Sequence, residues 1–226
     1  MGEVTRVDLA TSSVRELNAE LHRPSARRYE VLNPRGAHAV AAGLTDSLTV
    51  EVRGHVGYYC AGMNQRATVT VHGSVSTGVA ENMMSGTVRV TGDASQSAGA
   101  TGRGGLLVVE GSASMRCGIS MKGVDIVVGG DVGPTSAFMA QAGRLVVCGD
   151  AGDGLGDSIY EARLYVRGRV ASLGAYCVEK PMREEHLSEL EELLDAAGLA
   201  HDPSEFSRYG SARQLYHFAA HNSAAY

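Results

Sequence analysis

The chain has 226 residues and a formal net charge of −5, with a pI near 5.9, so no broad basic surface is left to meet a phosphate backbone and no nucleic-acid partner is expected. No run of about 18 apolar residues occurs and the opening MGEVTRVDLA lacks the charged start and apolar stretch of a signal peptide, so no membrane partner is expected and the cytoplasm is the expected location. Glycine, at 29 residues, is nearly twice its usual share and tryptophan is absent, which implies many tight corners and few large side chains.

Residues 1–43 read as a lead-in. A short strand is expected from Val4 to Leu9, then a helix opened by a capping box of Ser13 and Glu16, with Leu17 and Leu21 as its apolar stripe. A second extended piece, Tyr29 to Leu32, leads to the turn Asn33-Pro34-Arg35-Gly36.

Residues 44–178 form a strict ladder. Gly54, Gly73, Gly92, Gly111, Gly130, Gly149 and Gly168 recur every 19 residues without insertion. Valine stands two residues before each of them, from Val52 to Val166, and Val, Leu or Ile stands four before, from Val50 to Leu164. That alternation is strand periodicity. Two residues after each glycine comes Val or Ala, and seven after only Ala or Gly: Ala61, Ala80, Gly99, Gly118, Ala137, Gly156 and Ala175.

One strand of about five residues per repeat cannot bury a core alone, so the repeats must stack. The expected fold is all-β: a right-handed parallel β-helix of seven coils, its hand set by the preference of parallel crossovers. The glycines are assigned to corners, as positions of positive φ and close coil-to-coil approach. Cys60 and Cys117 share one column three coils apart, about 14 Å at a spacing of ~4.8 Å per coil, too far for a disulfide.

Residues 179–226 change character. Pro181 is expected to start a helix whose Leu187, Leu190, Leu194 and Ala197 line one face, with Gly198 as its stop. Asp202-Pro203-Ser204-Glu205 reads as a cap opening a last helical stretch, so the whole tail is expected to be helical. Five of the twelve aromatics, Phe206, Tyr209, Tyr216, Phe218 and Tyr226, fall there. They are expected to anchor in a partner rather than in the chain's own narrow core. The outward column between the two inward ones runs Glu51, Thr70, Arg89, Val108, Val127, Val146, Tyr165, so its later, apolar coils should be covered by a terminal segment or another subunit. Val108, Val127 and Val146 accordingly join Tyr209, Tyr216, Phe218 and Tyr226 as candidate interface residues.

Chemistry is sparse. The cysteines show no CxxC spacing. His217 and His221 are four apart but lack the intervening acid of a zincin, and the run from Gly149 to Gly156 coincides with a corner rather than a phosphate loop. Met63, Met83, Met84, Met115, Met121 and Met139 read mostly as gap-filling core, with an adaptable contact surface as the alternative. No catalytic or metal-binding residues are assigned.

The glycine spacing Gly149, Gly152, Gly156 and the approach from Asn33-Pro34-Arg35-Gly36 to Gly43 resemble the C-terminal β-helical (GXGXG) domain of the glutamate synthase large subunit over roughly residues 28–180. Ala61, Ala80, Ala137 and Ala175 depart from it by replacing the last glycine of the motif. The segment from Arg208 to Phe218 is similar to the tail of the separate β-helix subunit of N-methylglutamate synthases and their relatives. The resemblance implies a non-catalytic scaffold in a complex with an amidotransferase-like subunit and an FMN-binding subunit. FMN, with an iron–sulfur cluster as a further candidate, is expected in a partner and no cofactor in this chain alone. The reaction implied converts glutamate and methylamine to N-methylglutamate and ammonia; the scaffold of a multi-subunit glutamate synthase and a stand-alone β-helix enzyme or binding protein are the alternatives.

Overall fold

A computed structural model describes residues 4–213. The chain is a parallel β-solenoid of seven 19-residue repeats with two helices, and one sheet runs its length. In chain order its strands are β1 Thr5–Asp8, β2 Arg28–Leu32, β3 Thr49–Arg53, β4 Thr68–His72, β5 Thr87–Val90, β6 Leu106–Val109, β7 Lys122–Val128, β8 Ala142–Val147, β9 Arg163–Val166, β10 Cys177–Lys180 and β11 Ser207–Ser211. From β1 to β9 the strands stack in order and parallel, and from β3 onward residues pair with those 19 positions on, as Val50 with Val69 and Val71 with Val90, except where a register irregularity at the start of β7 pairs Lys122 with Ala142. β1 and β2 join the same ladder, Tyr29 pairing with Val50, so the sheet begins inside the lead-in.

Alternating Val-x-Val puts one side of every strand inside, and Val50, Val52, Leu107, Ile126 and Leu145 are fully buried. A second ladder of single bridges, Val56 to Val75 and on through Ala94, Ala113, Val132 and Ala151 to Val170, closes each coil after the corner.

Of the corner glycines, Gly92, Gly111, Gly130, Gly149 and Gly168 do not have φ in the left-handed region, contrary to the sequence expectation; Gly54, at φ 131°, does. Close approach fixes the residue instead: a Cβ on Gly111 would lie 2.8 Å from the Gly92 oxygen, and one on Gly149 2.7 Å from the Gly130 carbonyl carbon. Left-handed backbone occurs farther round the coil. Tyr59, Ala61 and Met63 are all left-handed, as are their equivalents Gly78, Ala80, Asn82 and Thr135, Ala137, Met139. Such a backbone costs a non-glycine residue about 1–2 kcal/mol, and here coils on both sides hold it. Ala61 N–H donates to Val40 O in the preceding coil at 3.0 Å, and Met63 N–H to Glu81 O in the following one at 2.7 Å.

The restriction of the seventh position after the corner to Ala or Gly thus has two causes, a left-handed backbone in every coil except that of Ala175, and a core without room. Ala61 and Ala80 are followed eight residues on by Val69 and Val88, and Gly99, Gly118 and Gly156 by Leu107, Ile126 and Leu164, but Ala137 is followed by Leu145, so the size of that neighbour alone does not choose between Ala and Gly. A Cβ at Gly99 would lie 2.5 Å from Ile126 Cδ1, and one at Gly156 2.9 Å from Leu164 Cδ1.

The N-terminal end is closed by α1, Val14–His22, which has the expected capping box and buries Leu17 and Leu21. Asn18 takes the place of a missing coil. Its Oδ1 accepts from Ala41 N–H at 3.0 Å, the role that Val40 O plays for Ala61, and its Nδ2 donates to Ala39 O at 2.8 Å.

At the other end the sequence expectation is corrected. The expected final helix is a 3₁₀ turn, Pro203–Glu205, followed by strand β11, which enters the sheet antiparallel between β9 and β10. The Asp202 cap is real, accepting from Ser204 N–H at 2.9 Å. It sets up one turn only, because the chain then runs extended into β11, with Phe206 buried on one side of the sheet in the core beneath α2 and Tyr209 on the other in the solenoid core. The expected helix starts at Glu184 rather than Pro181, and its buried face is His186, Leu190, Leu193, Leu194 and Ala197, with Leu187 half-buried. Gly198, at φ 69°, ends this α2, Glu184–Ala197, as expected.

Candidate interaction surface

The solenoid presents two large faces, the outer side of the sheet and the turn side. On the sheet, α2 covers the apolar part of the outward column. Val108, Val127, Val146, Cys148 and Tyr165 pack with Leu190, Leu193, Leu194, Ala197 and Phe206 in a second core. The cover ends where the column turns polar: Arg89 donates to Ala197 O at the last turn of α2, at 2.8 Å, where a cation also meets the negative end of the helix dipole.

This corrects the assignment of Val108, Val127, Val146 and Tyr209 to a partner interface. The valines are fully buried beneath α2 and Tyr209 is buried on β11, so the chain satisfies them itself. Tyr216, Phe218 and Tyr226 lie outside the described residues, as do His217 and His221. The seven corner glycines sit where the sequence places them, at the ends of strands.

An ion network pins α2 to the sheet. Arg144 Nε donates to Asp125 Oδ1 at 2.7 Å, and Arg163 and Tyr165 both donate to Glu189 on α2. Asp125 holds the Arg144 guanidinium above its ordinary pKa, while burial, with the Glu189 contact behind it, pushes the Tyr165 phenol up. An open groove of about 480 Å³ runs beside this network, lined by Gly123, Asp125, Gly143, Arg144, Glu161, Arg163 and Glu189. With its arginines paired to Asp125 and Glu189, its charges serve docking of α2 rather than proton transfer. The sequence carries the signal in one column, Asp125, Arg144 and Arg163 following Thr49, Thr68, Thr87 and Leu106.

A further column escapes periodicity because its members differ in type. The residue after each corner glycine from Gly54 to Gly149 accepts a hydrogen bond from the backbone N–H of its equivalent one coil on. His55 Nδ1 takes Ser74 N–H at 2.9 Å, Asp93 Oδ1 takes Ser112 N–H at 2.8 Å, and Asp131 Oδ1 takes Asp150 N–H at 2.7 Å. His, Ser and Asp share only acceptor capacity, and that is the signal. The glycine run 149–156 is absorbed likewise: Asp150 accepts from Arg169 N–H, and Asp153 from the Ser172 hydroxyl.

The four cysteines are free and buried. Burial pushes the thiols of Cys60 and Cys117 up to about 12 and those of Cys148 and Cys177 to about 11, which removes them as nucleophiles at neutral pH. Among the described residues no cluster of three or more His, Cys, Asp or Glu could hold a metal, and no helix is long and apolar enough to cross a membrane.

The turn side is different. Met83 and Met121 fill the core, but Met63, Met84 and Met139 stand exposed there, with Tyr58, Tyr160 and Tyr176.

Fold and surfaces define this chain as a parallel β-solenoid whose sheet is covered by its own α2 and whose described charged groups are largely held in contacts within the chain. It is 62% identical over 225 residues to Protein GlxC of Rhizobium meliloti (strain 1021), covering 97% of this chain and 99% of that protein, and it belongs to the GlxC family. No family model matches the sequence, and no solved structure matches the chain.

Proposed function

We propose that this chain is the non-catalytic scaffold subunit of an FMN-dependent, glutamate-synthase-like complex, holding an amidotransferase-like subunit and an FMN-binding subunit in fixed relation. The observation that carries the reading is where the polar groups go. The Arg144, Arg163, Asp125 and Glu189 charges bind α2, the acceptor column binds the next coil, and the thiols are buried. What is left is an elongated body with exposed apolar side chains on one face.

The particular complex we propose is N-methylglutamate synthase, which converts glutamate and methylamine to N-methylglutamate and ammonia. Support comes from the resemblance of the 208–218 segment and of the coils. Tyr216, Phe218 and Tyr226 remain candidate partner contacts. Reconstitution with the two partner chains, supplying methylamine and glutamate in one assay and glutamine and 2-oxoglutarate in the other, tests it. N-methylglutamate formed in the first supports the proposal, and turnover in the second alone transfers the chain to a multi-subunit glutamate synthase. Turnover by the purified chain with no partner would make it a stand-alone enzyme instead.

A further inference from the structure

Seven of the nine large apolar side chains that stand exposed among the described residues, Tyr58, Met63, Met84, Met139, Tyr160, Leu173 and Tyr176, lie in the segments that run from a corner glycine to the next strand. Four of them form a repeated figure. Met63 and Met84 lie in adjacent coils, one at the ninth and the other at the eleventh position after its corner glycine; Met139 and Tyr160 repeat those two positions four coils later. The two apolar pairs are therefore about 19 Å apart at a spacing of ~4.8 Å per coil. Their exposures are 46%, 46%, 43% and 40%, too high for core filler that happens to reach the surface.

Between the pairs, in the column shared by Met84 and Tyr160, stand Arg103 and Lys122. Both are exposed, and among the described residues neither has a carboxylate within ion-pair distance, whereas Arg6, Arg53, Arg89, Arg144 and Arg163 all do. The surface thus reads apolar, cationic, apolar along the solenoid axis on a chain that is acidic overall.

We infer that this stripe docks an acidic segment of a partner protein carrying two apolar anchors about 19 Å apart, with carboxylates between them to meet Arg103 and Lys122. Two other occupants fail on charge or on apolar content. Residues 214–226 of this chain contain no Asp or Glu. The α2 helix of a second copy would bring Glu191, Glu192 and Asp195, but its leucines Leu190, Leu193 and Leu194 are buried against its own sheet, so it brings no anchors. The methionines suit this role because the thioether chain adapts its shape to a partner, and the cations supply orientation and speed of encounter.

The inference rests on the scaffold reading, and the test separates the two. The chain is co-expressed with the amidotransferase-like and FMN-binding subunits as wild type, as Met84→Ser with Met139→Ser, and as Arg103→Glu with Lys122→Glu, and assembly is measured at two salt concentrations. Both double variants should melt as the wild type does when isolated, because all four side chains are exposed. Each should weaken assembly at least tenfold, and the salt dependence of the wild type should reverse in the charge-reversed form, where added salt screens repulsion instead of attraction. A wild type that assembles alongside variants that assemble equally well overturns the docking stripe alone. A wild type that joins neither subunit overturns the scaffold reading and the stripe with it. Self-association of the isolated wild type that the variants abolish would show the occupant to be a second copy and refute the choice of partner.

Discussion

Replacing Gly111 by Ala isolates the close approach of the coils from any demand on φ, since the backbone there is outside the left-handed region. The new Cβ would lie 2.3 Å from Asp93 Oδ1, 2.8 Å from the Gly92 oxygen and 3.0 Å from the Gly92 carbonyl carbon. Asp93 must then release Ser112 N–H, a loss of about 1 kcal/mol, and the Gly92 peptide must move in a packed stack, adding about 1–3 kcal/mol. The sum, about 2–4 kcal/mol, corresponds to a fall in Tm of roughly 4–16 °C for a chain of this length. Thermal unfolding followed by circular dichroism reads it directly. Gly198→Ala is the control, because nothing lies within 4 Å of its Cβ while its φ of 69° is left-handed, so its cost is conformational and about 1–2 kcal/mol. A Gly111→Ala chain that melts with the wild type would refute coil contact as the reason for the glycine ladder.

Val127→Asp puts an unpaired carboxylate beneath α2 and should cost about 3 kcal/mol or more, with amide exchange over 184–197 rising well above that in the coils; unchanged protection there would show that α2 is not held by this column. Asn18→Leu leaves the Ala41 N–H and the Ala39 carbonyl without their partner and should destabilise by about 2–4 kcal/mol in urea unfolding, whereas Asn18→Gln should fail to restore the fit because its amide lies one methylene farther out. His186 titrates below the ordinary imidazole value of 6.5, chiefly through burial and also through Arg208 and Arg163, with Glu185 and Glu189 pulling the other way. Below pH 6.5 the unfolded chain binds a proton that the folded one resists, so stability should be complete above that pH and fall as the pH drops toward the lower folded value. His186→Leu should flatten that decline between pH 7 and 5, and an equal slope in both chains would exclude His186 as its source.

The coil was legible because a strict 19-residue period leaves the same constraint visible seven times, and averaging over coils reveals what a single Val or Gly cannot. The inward columns, the N-terminal capping box and the stop at Gly198 were all read from local rules that the tertiary structure leaves intact. Residues 203–211 were misread because Asp202-Pro203-Ser204-Glu205 opens a single 3₁₀ turn and a full helix with the same residues. What decides between them is the edge of β9, which lies 41 residues back in sequence at the Ser207–Val166 pair. The partner assignment of Val108, Val127 and Val146 failed for a related reason. An apolar outward column shows that something covers it, and only the placement of α2 shows that the cover belongs to the same chain. The left-handed positions at Tyr59, Ala61 and Met63 were hidden because residues other than glycine occupy most of them, stabilised by hydrogen bonds to both neighbouring coils.

The scaffold role is tested most directly by omission. The amidotransferase-like and FMN-binding subunits are expressed with and without this chain, and the mass of the assembly is measured together with its N-methylglutamate production from glutamate and methylamine. The account predicts a complex containing all three chains that turns over, and separate, inactive subunits when this chain is left out. A stable, fully active assembly of the other two without it would contradict the account.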